Sequence, residues 1–104
     1  MLNLVLCLMH VVSHAPHAWF FLEDEGAYYL DVNCNMSAVG FSLIIQLNQN
    51  ESREYHALGA VYIEYLAARV AYWWSEYSSR NCTSVETAVH DAINAYLKKG
   101  VPDV

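Results

Sequence analysis

Four potential metal ligands, Cys7, His10, His14 and His17, fall within eleven residues near the start of the chain. Zinc takes thiolate and imidazole ligands, and His residues four apart converge on one side of a helix. The second Cys of a Cys-x-x-Cys pair is missing, and Cys7 and His10 sit inside an apolar run, where the bland alternative is imidazoles around an irregular loop with no shared role. A nucleophilic site needs a thiol or hydroxyl, a base and an orienting group, and Cys34, His56 and Asp31 supply those types. In a strand, however, Cys34 and Asp31 point to opposite faces and cannot meet. Catalysis and a resident cofactor are therefore not expected.

Charge is more informative. No Lys or Arg precedes Arg53, whereas Glu23, Asp24, Glu25, Asp31 and Glu51 do; after it, five bases with Arg53 included nearly balance six acids. The formal net charge of −6 thus resides mostly in the first half. A negative field of that kind attracts a basic protein and repels nucleic acid. The acidic turn Glu23-Asp24-Glu25, continued by Asp31 and Asn33, is the candidate binding surface, with carboxylates placed to dock on Arg and Lys of a partner. Calcium is not expected, because Asp-x-Asp-x-Asp-Gly spacing is absent.

The 104 residues are expected to form a single α+β domain, 1–104. An apolar fraction of 56% with eight Tyr and three Trp exceeds the ordinary and suggests a surface covered by a partner or a second copy. Three Cys at no metal-like spacing favour reduced thiols and a cytoplasmic location. Secretion is the minority expectation. The run of residues 1–12 has the length of a signal-peptide core, Asn35, Asn50 and Asn81 begin Asn-x-Ser/Thr triplets, and removal of the run would leave Cys34 and Cys82 as a possible disulfide. The run lacks a preceding base, and it is too short for a bilayer, which needs roughly 20 apolar residues.

The elements that must position these groups read as strands first, then helices. Residues 2–12 fit a strand better than a helix, and Ser13–His17 a loop ending the element near Pro16. Trp19–Leu22 and Ala27–Asn33 flank the acidic turn as a hairpin. Val39–Leu47 alternates strongly enough for another strand. The pattern predicts a three- to four-stranded antiparallel sheet covered on one face, the open face carrying Tyr29, Asp31, Asn33, Ser42 and Gln46.

Cap residues at Asn48–Ser52 introduce a long helix to about Tyr77. Its bulky stripe, Tyr55, Leu58, Tyr62, Leu66, Trp73 and Tyr77, widened by Tyr65 and Val70, should lie on the sheet, and Ala57, Ala60, Ala67, Ala68, Ala71 and Ser75 should form a small-residue side. This phase puts Trp73 in the core and leaves Trp74 as a candidate interface anchor. Arg69 should snorkel along the helix edge, the alternative being an anchor that stacks on Trp73 or Tyr65 or pairs with a sheet carboxylate. Thr83–Glu86 has capping-box spacing and starts a shorter helix with Val85, Val89, Ala92, Ile93, Tyr96 and Leu97 inward, ending at Gly100.

In size, acidity and absence of a catalytic motif the chain is similar to small acidic inhibitors, such as immunity proteins that neutralise a basic toxin or nuclease. The resemblance rests on overall character and on no particular residues, and it implies a non-catalytic binding protein. The alternatives are an accessory or self-associating subunit, a homodimer through the Ala-rich helix side or the aromatic excess, and a small metal-dependent enzyme using the His cluster.

Overall fold

Glu25 and Gly26 both have positive φ, 52° and 90°, and they form a two-residue loop between the paired residues Asp24 and Ala27. Two successive left-handed residues are what a type I′ turn requires, and its twist matches that of the flanking strands. The acidic turn is therefore the tip of a tight hairpin joining β2 (Trp19–Asp24) to β3 (Ala27–Cys34). In the computed structural model, residues 9–34 and 41–99 are described. Cys7, the first eight residues of the apolar run, Asn35, Val39 and the expected cap Gly100 lie outside them.

β1 (His10–Ala15) and β4 (Phe41–Gln46) complete an antiparallel sheet in the order β1-β2-β3-β4. The segment expected as a loop, Ser13–His17, is half strand: β1 runs to Ala15 and the turn takes Pro16, His17 and Ala18. Ala18 N–H donates to Ala15 O at 3.0 Å, with His17 at φ 63°. Proline presets the second position of such a turn, and the left-handed third position falls to a histidine instead of the usual glycine.

Alternation on β3 builds the main core. Leu30, Val32 and Cys34 point to one side with Phe21, Leu43, Ile45 and Leu47, where they bury against Ile63, Leu66, Ala67 and Val70. Those four belong to α2 (Ala60–Tyr72), which follows α1 (Gln49–Leu58) and precedes the single turn α3 (Trp74–Tyr77). The expected long helix is thus broken twice. Gly59 adopts φ 71°, a conformation glycine takes without a Cβ penalty, and Trp73 leaves the helical region at φ −106°, ψ 42°. The breaks shift the buried phase. Leu58, Tyr65 and Trp73 of the expected stripe are exposed, while Ile63 and Ala67, the latter expected on the small side, are buried.

Asn48 caps α1 through a complete capping box. Its side chain accepts from Glu51 N–H at 2.8 Å, and the Glu51 carboxylate accepts from Asn48 N–H at 2.9 Å. The capping box expected at Thr83–Glu86 does not form; a 3-10 turn at Thr83–Val85 leads into α4 (Glu86–Lys98) without a side-chain cap.

The larger correction concerns the second face of the sheet. After α3 the chain rounds the outer edge of β4, where Cys82 N–H donates to Ile44 O at 2.7 Å and Asn81 Oδ1 accepts from Ile44 N–H at 3.0 Å. These two bonds satisfy backbone groups that an edge strand otherwise leaves unpaired. α4 then lies across the face opposite α2, burying Val89 and Ala92 with Met9, Leu22 and Ile44, and Tyr29 packs partly against them. The sheet expected to be half open carries helices on both sides. Cys34 and Cys82 are free thiols, so the alternative disulfide is absent. Among the described residues, no helix is long and apolar enough to cross a membrane.

Candidate functional site

Part of the expected open face escapes α4. At the end of the sheet away from the hairpin tip, a cavity of about 330 Å³ is lined by His17, Ala18, Trp19, Phe20, Asp31, Asn33, Phe41 and Ser42. The register explains its composition: Phe20 pairs with Asp31, Asp31 with Ile44, and Asn33 with Ser42, on the α4 side of the three strands. Tyr29 and Ile44, nearer the middle, are roofed by the α4 layer. Asp31, Asn33 and Ser42 are left at its margin.

Asp31 is the chemically distinctive group in this cavity. Its side chain is half-buried, and burial pushes its carboxyl above the usual carboxylate range. His90 on α4 opposes that shift and Glu86 adds to it. No hydrogen-bond donor among the described residues reaches the carboxylate, and the Ser42 hydroxyl and the flank of Phe20 share the cavity. A half-desolvated carboxylate that burial still holds above its usual range despite His90 favours a positively charged visitor, because a cation restores what burial removed. Asn33 has a different task. Its backbone N–H donates to Ala18 O at 2.8 Å and its side-chain amide to His17 O at 3.1 Å, so it fastens the β1–β2 turn that walls the cavity.

The acidic turn does not continue into this site. Asp31 lies six positions beyond Glu25, about 20 Å along the extended chain. Glu23 lies opposite His10 across β1 and β2, with Nε2 to Oε1 at 3.5 Å; Asp24 is half-buried and Glu25 exposed. Glu51, counted with the unneutralised acids of the first half, is neutralised from the second. Arg80 grips both its oxygens at 2.9 and 2.6 Å. Burial pushes the Glu51 carboxyl up, but the hydrogen bonds from Arg80 and from Asn48 outweigh it and hold it below the usual range.

The remaining candidates disperse. His10 and His14 stand about 13 Å apart along β1. His14 stacks on Phe20 at 5.2 Å, and its Nδ1 lies 2.9 Å from the Tyr96 hydroxyl, while His17 is in the turn. Among the described residues no group of three His, Cys, Asp or Glu could hold a metal ion, and Cys7 lies outside them. Cys34 is enclosed in the α2-side core, on the opposite face of β3 from Asp31, and His56 Nε2 is 3.0 Å from the Tyr28 hydroxyl. The two tryptophans exchange roles: Trp74 packs edge-on against Phe41 at 5.1 Å, while Trp73 is 45% exposed. Arg69 donates through Nε to the Tyr77 hydroxyl at 3.0 Å and lies beside the Tyr65 hydroxyl as well.

Sequence reasoning had singled out Asp31, Asn33 and Ser42 through β-alternation. It missed His17, Trp19, Phe20 and Phe41 as cavity walls; only Pro16, marking a turn next to a strand, hinted at them. No protein-family model, no curated protein and no solved structure matches the chain.

Proposed function

We propose that the protein is a non-catalytic binding protein for a basic protein partner, of the kind that inhibits the protein it holds. The observation that carries this is the half-buried Asp31 carboxylate in an open cavity, on a chain whose net charge is −6. An Arg or Lys side chain of the partner enters the cavity and pairs with Asp31, its stem lying against Phe20. The hairpin tip works separately, some distance away, as a steering patch that raises the encounter rate.

The two roles separate kinetically. The test is recovery of the bound protein from the native host on immobilised protein, followed by association measurements at two ionic strengths. Converting Glu23, Asp24 and Glu25 to amides should slow association by about tenfold at low salt and leave dissociation unchanged. Asp31→Asn should instead speed dissociation by at least about tenfold, as expected when one member of a desolvated charge pair is removed. A partner that is not basic, or one whose dissociation ignores Asp31→Asn, overturns the proposal.

A further inference from the structure

α2 presents a second face that neither the sheet nor its neighbouring helices cover. Val61, Tyr65 and Tyr72 are 70%, 56% and 60% exposed, and Ala68 is exposed between the two tyrosines. Their spacing of four, three and four residues is the repeat of a coiled-coil seam, with Val61 and Ala68 at d positions and Tyr65 and Tyr72 at a positions. Trp73, whose ring meets Tyr72 edge-on at 4.8 Å, extends the apolar surface at the C-terminal end.

We propose that this face is an interface between two copies of the chain, with their α2 helices side by side and parallel. The charges flanking the seam select this occupant and this direction. Glu64 occupies the g position and Arg69 the e position that follows it, five residues on. In a parallel pair, g of one helix meets the next e of the other, so Glu64 of each copy faces Arg69 of its mate, twice by symmetry. In an antiparallel pair g meets g and e meets e, which would put Glu64 against Glu64 and Arg69 against Arg69. Arg69 bonds the Tyr77 hydroxyl through Nε, lies beside the Tyr65 hydroxyl and has Nη2 3.9 Å from Glu76, and the five N–H donors of a guanidinium exceed these partners.

The seam also alternates in size, Tyr against Tyr and Ala against Ala in register, which lets the backbones approach at position 68 while the rings pack above and below. Four large exposed apolar side chains at on the order of 100 Å² each give roughly 400 Å² per copy, near the lower end for a specific pair once flanking residues are added. The assembly is therefore a reversible, concentration-dependent dimer. None of the seam residues lines the Asp31 cavity.

Sedimentation equilibrium of the intact chain reads the association directly. The wild type should show a monomer–dimer equilibrium. Tyr72→Glu, a change at an exposed position, should abolish the dimer while circular dichroism shows an unchanged fold. Glu64→Lys should weaken association at least about tenfold at low salt, because both cross-helix pairs become repulsive. Direction is read with Val61→Cys under mild oxidation and peptide mass spectrometry: residues at a d position face each other closely enough in a parallel pair for a 61–61 disulfide. A wild type that stays monomeric, a dimer indifferent to Tyr72→Glu or Glu64→Lys, or a Val61→Cys dimer that yields no 61–61 link overturns the proposal.

Discussion

Replacing Arg80 by Met removes a guanidinium that ties three elements together. Its two nitrogens donate to both Glu51 oxygens, at 2.9 and 2.6 Å, and to Gln46 O at 2.9 Å, while the group sits 5.7 Å from the Tyr77 ring centre. The carboxylate it holds is also the acceptor of the capping box that starts α1. Breaking a buried pair by deleting one partner costs about 3–5 kcal/mol, because the other charge is left uncompensated. Arg80 and Glu51 side chains are 30% and 12% exposed, so water recovers part of that and the expected loss is about 2–3 kcal/mol.

Urea unfolding followed by tryptophan fluorescence measures this as a midpoint lower by roughly 1–2 M, given m values of about 1–3 kcal/mol/M. The pH dependence has a definite sign. Glu51 has its folded carboxyl held below its unfolded value of about 4.3, so its stabilisation is present above that pH and is lost as pH falls through the lower folded value. The difference between wild type and Arg80→Met should accordingly be constant from about pH 8 to 5 and shrink below about pH 4. Adding Glu51→Gln to Arg80→Met should recover part of the loss, since it removes the stranded charge. A loss under about 0.5 kcal/mol, or one unchanged down to pH 3, would refute the assignment of Arg80 as the clamp between α1, β4 and the turn after α3.

Two other outcomes follow from packing and burial. Trp74→Ala should cost about 2–3 kcal/mol, less than a fully buried aromatic, while Trp73→Ala should stay within about 1 kcal/mol when unfolding is measured at dilute, monomeric concentration. The opposite order would show that the chain does not leave the helix at Trp73. Asp31→Asn should make the isolated protein more stable at neutral pH, because burial raises the Asp31 carboxyl and the fold therefore disfavours its charge. Wild type should gain on the variant as pH falls through the raised folded value. A less stable variant at pH 7 would mean that Asp31 holds the structure together and does not wait for a partner.

Local chemistry in the chain determined much of this protein. Alternation in Ala27–Cys34 and Phe41–Gln46, the acidic turn closed by Gly26 and the cap at Asn48 set an antiparallel α+β fold with its hairpin in place, because each depends on neighbours within a few residues. The same alternation put Asp31, Asn33 and Ser42 on one face. Tertiary structure decided the rest. Nothing near Thr83 says that the chain will round β4 and lay α4 on the second face, so the covered and open parts of that face were not legible from strand patterns. Helical phase was equally hidden: the left-handed glycine at 59 reset the helix ahead of α2 and the departure at Trp73 reset it afterwards, leaving Tyr65 and Trp73 outward and Ile63 and Ala67 inward. The charge count likewise missed that Arg80 would find Glu51 across 29 residues. Long-range pairings and small backbone breaks carry no periodic signal, and here they determine which carboxylate is spent on the fold and which lines an open cavity.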